Sequence, residues 1–406
     1  MAPQKIRILY ISQFFDPEVA AAAKRCFDYS KLWANMGLDV QVWTSYPNFP
    51  TGKLFSNYKV KLIQKDNKYK KIGLKVFRNF TIIRSNSSYF NRSVLYFSFC
   101  ISLFYNLLIN SNQVKKANVI LGTSGTVFSA FTAYVIAQIF HKKFILEIRD
   151  ITSLQIMATN GGRKTISYYI IKWLELYIAR RANKVVTVTY GYKKWFSDHC
   201  IPKSKIKVIP NGIIVKKKQS EILRNNNKKE ILISYFGTIG ISQDIPFWIA
   251  LIKKIRYQND ITFLFIGDGP KAKDISTLSQ KISNLKYIST QSREKIKEYY
   301  LQSDMCIVSL IPSNEFRYTV PSKLFDILSY SKPILFHGPE NGEAKQIIND
   351  GQIGISLPNN INIAAKLLIN RLPPRDTLRK MGENGGVYVR RNFNKLNNAV
   401  YYKNLF

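Results

Sequence analysis

The feature that most restricts this chain is a rhythm: short apolar runs, each closed by a polar or glycine-bearing turn, alternate with helix-period stretches, stop at a charged interruption, and start again. Lys5–Ser12 (KIRILYIS) reads as a buried strand. A turn around Asp16, Pro17 and Glu18 leads into a helical pattern through Leu32 and Trp33 that stops at Gly37, and LDVQVWTS follows as a second strand. Strand, helix, strand at this spacing is a parallel, right-handed unit. The alternation continues through 117–125 (ANVILGTSG), a helix over Val127–Phe140, a strand at 144–150 (FILEIRD), and 182–190 (ANKVVTVTY) with a helix through Phe196. KVIPNGI closes this half, and 216–230 (KKKQSEILRNNNKKE) has no apolar face and reads as a linker. ILISYFGTIG (231–240) restarts the pattern, and ITFLFIGDGP, LKYIST, MCIVSL and KPILFHG continue it.

The expected architecture is therefore α/β, with two Rossmann-like, doubly wound parallel-sheet domains: residues 1–215, a linker 216–230, residues 231–375, and helices over 376–406 that cross back to the first domain. A length of 406 residues fits two such cores, because single cores stop growing near about 250–300 residues. The 46% hydrophobic content is that of a folded chain, so the formal charge of +36 describes a basic surface, not disorder. That charge attracts an anionic lipid, a diphosphate or a nucleic acid; the Lys-, Asn- and Ile-rich usage throughout equally fits genomic bias.

Cys26, Cys100, Cys200 and Cys306 have no paired spacing and read as reduced core thiols. His141, His199 and His337 show no metal spacing and read as surface or loop residues. No zinc-finger, RNA-recognition or helix-turn-helix pattern is present, so nucleic acid is not an expected partner. The N-terminus lacks the pattern of a secretory signal, and the apolar run Val94–Ile109 is short for a bilayer span, so a cytoplasmic protein with a buried or interfacial helix is expected.

In parallel sheets ligands bind beyond the carboxyl ends of strands, where helix N-termini favour anions. Five loops qualify. In Phe14–Lys24, Ala21 and Ala22 allow close backbone approach and Lys24 and Arg25 bring charge, although the alanines also serve helix propensity. Gly122–Gly125 offers the Thr123 and Ser124 hydroxyls. Glu147, Arg149 and Asp150 end a strand and can orient sugar hydroxyls or form a structural pair. Gly237–Gly240 opens a helix. Pro321–Asp326 starts another, with Lys323 placed for a phosphate and Asp326 for ribose hydroxyls.

Read together, ISQFFDPEVAAAAKR, TSYPNFPTGKL, LGTSGT, LEIRD, VVTVTYGYKKWF, KIKVIPNGI, YFGTIGISQDI, FIGDGP, VPSKLFDILSYSKPIL and GEAKQIINDGQIGISL resemble the family 4 retaining glycosyltransferases of the GT-B fold, over nearly the whole chain. The IPNG segment and the PSK helix with its SKP are the most specific parts. The nearest subset resembles bacterial O-antigen and capsule L-fucosamine transferases.

That resemblance implies two domains facing a central cleft, a UDP-sugar donor, and transfer with retention to a polyprenyl-diphosphate-linked saccharide at the inner face of the plasma membrane. It implies no metal and no other cofactor. Asp326 matches the second acidic residue of the family's paired-glutamate motif; the first position holds Tyr318, with Glu315 nearby but out of register. Gly237, Gly240, Gly267, Pro321, Ser322, Lys323 and Asp326 are thereby donor-binding candidates, with Ser242, Gln243 and Asp244 where a basic pair is usual. Ala21 and Ala22 replace a frequent Gly-Gly, and with Lys24, Arg25, Thr123 and Ser124 form the candidate acceptor or diphosphate loops. Arg149 and Asp150 fall near a sugar-contacting histidine and join Lys323 as catalytic candidates.

The basic stretch Lys53–Arg92, with Tyr89, Phe90, Tyr96, Phe97 and Phe99 after it, is expected to dock on an anionic membrane, as a peripheral protein does. Two other readings stay open: a sugar-nucleotide epimerase of the same fold, and a basic membrane-binding protein whose nucleotide site has decayed.

Overall fold

The computed structural model describes residues 5–18, 20–49, 51–84, 89–215 and 230–406, with the backbone alone at 89 and 293. All of the expected linker except Glu230 lies outside these residues. The chain forms two compact units, one of 1–156, 164–210 and 396–406, the other of 157–163 and 211–395.

The first unit is built on β1 (Arg7–Ile11), β2 (Asp39–Ser45), β3 (Ile63–Asp66), β4 (Leu74–Asn79), β5 (Val119–Thr123), β6 (Lys143–Ile148), β7 (Lys184–Thr187) and β8 (Ile206–Val208), in the order β3-β4-β2-β1-β5-β6-β7-β8. Only β3 runs antiparallel, against β4 at the edge. The central strands are continuous Ile, Leu and Val runs because helices cover both faces, and Ile8, Leu9, Tyr10 and Ile11 are all buried. The helices are α1 (Ala21–Asn35), α2 (Tyr89–Lys116), α3 (Val127–Ile139), α4 (Thr152–Thr159), α5 (Ile166–Arg181) and α6 (Tyr190–Asp198).

The apolar run expected at Val94–Ile109 is part of a helix of 28 residues, α2. It continues because Leu95, Phe99, Leu103, Leu107 and Val114 keep one face buried past the end of the run. At Asn110, with φ −113° and ψ 26°, a kink divides it into two helical segments. Within the basic stretch, Arg78 is internal, not part of a docking face: its side chain is buried, pairs with Asp66 at 3.1 Å and donates to the Ser45 carbonyl. Phe99 likewise faces the core. Among the cysteines, Cys200 departs from the expected burial and is exposed at a left-handed φ of 63°, while Cys26, Cys100 and Cys306 are buried and free.

The second unit carries β9 (Ile231–Phe236), β10 (Ile261–Ile266), β11 (Leu285–Ile288), β12 (Met305–Ser309), β13 (Ile334–His337) and β14 (Gly354–Leu357), all parallel, in the order β11-β10-β9-β12-β13-β14. Its helices are α7 (Ile245–Lys254), α8 (Ala272–Ser279), α9 (Arg293–Gln302), α10 (Ser322–Ser329), α11 (Glu343–Gly351), α12 (Ile361–Asn370) and α13 (Arg375–Asn392).

The division falls after Pro210, ahead of the expected 215, because Asn211–Ile213 is tied to the end of α13. Ile213 pairs with Asn394, its N–H donates to the Phe393 carbonyl at 2.9 Å, and a Cβ on Gly212 would overlap that carbonyl. The return expected of 376–406 is carried by 396–406 alone. α13 stays on the second unit, with Leu378 and Val389 in its core. α14 (Lys395–Lys403) then puts Ala399 and Tyr402 into the core of the first.

Candidate functional site

In the second unit the carboxyl ends of β9 and β10 carry two loops packed backbone to backbone. Gly237 and Gly267 hold φ of 104° and 149°, and a Cβ on Gly267 would overlap the Gly237 carbonyl. Only glycine fits both the dihedrals and the spacing. The Gly240 N–H donates to the Gln243 side chain at 3.1 Å, fixing the turn into α7. Lys323, in the first turn of α10, reaches this loop: its Nζ donates to the Tyr235 hydroxyl at 2.6 Å, sits 3.9 Å from that ring's centre and lies 3.9 Å from where Gly237 lacks a Cβ.

Burial pulls the Lys323 pKa down to about 7. Among the described residues no ion pair answers its charge. Pro321 is the N-cap of α10 and Ser322 its first residue, with no side-chain cap, so backbone donors at this end are open to a ligand. Asp326, one turn on and half-buried, lies beside Tyr300, whose hydroxyl is pushed up by burial first and by Asp326 second.

In the first unit the strand register sets Ile11 beside Gly122 and Thr123 beside Glu147. Thr123 ends β5, and Gln13 and Arg149 lie just past the carboxyl ends of the neighbouring strands β1 and β6. Among the described residues, Gln13 Nε2, Thr123 Oγ1, and Arg149 Nε and Nη1 are buried there without hydrogen-bond partners. Buried polar groups are nearly always satisfied, so each of these is a candidate contact for a polar ligand. The Ser124 hydroxyl accepts from the Arg149 N–H at 3.0 Å and braces this edge. Asp150 is raised to about 6 by burial, against the lowering effect of Arg149 and of the Tyr192 hydroxyl, which donates at 3.4 Å. Ala21 and Ala22 begin α1, which has no side-chain cap, and Lys24 is half-buried.

Arg25 is a correction to the sequence reading. Its guanidinium is buried, pairs with Glu147 at 2.9 Å, and donates to the Ile209 carbonyl and the Tyr402 hydroxyl. All of these partners are internal, so Arg25 joins α1, β6 and the C-terminal segment and offers nothing to a ligand. Glu147 is pushed up by burial but held down to about 2 by Arg25, Arg149 and the Tyr402 and Tyr10 hydroxyls.

Residues 215–386 match the family described as glycosyl transferases group 1. Over that stretch the chain is similar to group 1 glycosyl transferases. An uncharacterized glycosyltransferase of Methanocaldococcus jannaschii, MJ1069, is 20% identical over 99% of this chain and 98% of its own length. Among solved structures, sucrose-phosphate synthase of Thermosynechococcus elongatus superposes with a TM-score of 0.73 at 15% identity, covering 99% of this chain and 98% of that one. HepE of Anabaena, solved with UDP-glucose, gives 0.67 at 11% identity over 98% and 99%. The two-unit architecture is the GT-B fold.

Within the second unit, His337 corrects the sequence reading a second time. Its ring is fully buried and stacked 3.5 Å from Phe247, and its Nε2 lies 2.9 Å from Asp244 Oδ2. Asp244, where the resemblance places a basic residue, thus ties the loop after Gly240 to the end of β13. Tyr318 belongs to a short turn, Asn314–Tyr318, with the Arg317 guanidinium 4.5 Å over its ring.

The sequence reading missed an open polar pocket of about 320 Å³ in this domain, lined by Ser313, Asn314, Arg317, Glu340, Asn341 and Asn359 among others. These residues follow β12, β13 and β14. They are distant in the chain and meet because the strands are neighbours, so no local motif announces them.

Proposed function

We propose that the chain is a retaining, metal-independent glycosyltransferase. It moves a sugar, L-FucNAc or another N-acetylated aminosugar, from a UDP-sugar to a polyprenyl-diphosphate-linked saccharide at the cytoplasmic face of the plasma membrane. The product class is a surface polysaccharide of the O-antigen or capsule type. The observation that carries this reading is Lys323: a part-buried amine with no ion pair among the described residues, held against a glycine loop at an uncapped helix start.

The donor's C1–O bond to the β-phosphate breaks and C1 bonds to an acceptor hydroxyl oxygen on the same face. The hydroxyl proton leaves with the departing diphosphate oxygen. Charge builds on that diphosphate, and stabilising it is the main catalytic task. Lys323 and the backbone donors at Ser322 and Gly240 serve it, and Asp326 accepts from the ribose. The unpartnered donors of Gln13, Thr123 and Arg149 take the acceptor side, with Asp150 orienting its hydroxyl. HepE, of like fold, was solved with UDP-glucose, which supports a uridine donor.

Purified protein should be protected against heating by UDP or a UDP-sugar. Incubating it with membrane-extracted lipid acceptor, a panel of labelled UDP-sugars and EDTA should give a product of unchanged anomeric configuration by NMR. If no nucleotide in the panel raises the melting temperature, the reading is lost. Isomerised donor without acceptor would replace transfer by epimerisation.

A further inference from the structure

On the first unit α3 lies between α2 and α5, with Phe97 4.8 Å from Phe128 on one side and Tyr134 6.0 Å from Tyr177 on the other. The outer helices bury one face and leave the other apolar. On α2, Phe97, Ile101, Phe104, Tyr105 and Leu108 are exposed, Leu108 to 79%. On α5, Ile166, Tyr169, Ile170 and Trp173 are exposed at i, i+3, i+4 and i+7, the spacing of a single stripe, with Trp173 at 61%. A folded chain does not keep two large apolar stripes in water without a use for them.

The charge around the stripes names the occupant. Exposed Lys115 and Lys116 end α2, and exposed Lys164, Arg180 and Arg181 flank or end α5. The sequences of α2, α3 and α5 contain one carboxylate, Glu175, which is buried. Apolar stripes rimmed by cations and free of exposed acids fit an anionic bilayer: side chains enter the acyl boundary and cations meet the phosphates. α2 has the length and hydropathy of a spanning helix, but 44% of its most apolar window is buried in the protein, so it presents a side and not a full circumference.

We infer that the exposed faces of α2 and α5 are a monotopic docking surface for an anionic phospholipid bilayer. This goes beyond the transfer reading and does not rest on it. The surface differs from the basic Lys53–Arg92 stretch that the sequence points to, and of the aromatics read with that stretch it uses Phe97.

Trp173 reports on it directly, because Trp33, Trp43, Trp195 and Trp248 are buried. The full chain should co-sediment with phosphatidylglycerol–phosphatidylcholine vesicles. Its emission should shift to the blue, and brominated acyl chains should quench it. Leu108→Asp and Trp173→Glu should each weaken partitioning by about tenfold or more, while Tyr257→Glu, exposed on the second unit, leaves it unchanged. Since these positions are exposed, melting temperatures and any UDP-induced shift should not change, which separates this surface from the nucleotide site. Absence of quenching, full binding by Leu108→Asp, or a dimer that Leu108→Asp dissolves would each overturn the inference.

Discussion

At the scale of single residues, two of the basic side chains singled out from sequence have opposite fates. Lys323 carries a pKa lowered by burial to about 7. An arriving diphosphate restores the charged form, so binding takes up a proton above pH 7. Nucleotide affinity should therefore fall as pH rises from 7 to 9, by at most about tenfold per unit. Calorimetry in buffers of different ionisation enthalpy measures that proton, and Lys323→Met should abolish the uptake and most of the affinity.

Arg25 is structural. Arg25→Met leaves Glu147 buried without its counter-charge and should cost about 3–5 kcal/mol. Glu147 titrates near 4.5 unfolded and near 2 folded. Its stabilisation is complete above the first value and lost as pH falls through the second. Without Arg25 burial dominates, so acid unfolding followed by circular dichroism should begin at a higher pH.

Secondary elements are set by local pattern, but the loops between them are set by contact. The β9 and β10 loops approach so closely that Gly267 has no room for a methyl group against the Gly237 carbonyl. Gly267→Ala adds backbone strain of about 1–3 kcal/mol to that overlap. It should lower the melting temperature and weaken UDP binding together, because the Gly237 turn facing Lys323 must move. α2 shows the complementary effect: its polar tail stays helical because Val114 still packs.

For the whole molecule, the C-terminal segment is part of the first unit's core although it follows the second unit in the chain. Tyr402 donates to Glu147 and meets Trp33 at 5.1 Å between ring centres, and Phe406 meets Trp33 at 5.0 Å. Deleting 396–406 should expose Trp33 and leave the Arg25–Glu147 pair wet. Differential scanning calorimetry should then show an earlier transition for the first unit. An unchanged thermogram would mean that the segment contributes nothing to that core.

The strand–helix alternation, the restart near 231 and the start of a helix at Pro321 were all legible in the sequence, because each rests on short-range periodicity, capping or a breaker. Lys323 and the glycine turn were each legible as local motifs, but only the tertiary structure brought them together. Tertiary structure alone decided that Arg25 is internal, that His337 is buried against Asp244, that Gln13, Thr123 and Arg149 lie at the ends of neighbouring strands, and that a polar pocket follows β12, β13 and β14. Those outcomes depend on which strands become neighbours and which charges lose water. Chain-distant contacts settle both, and no run of adjacent residues encodes them.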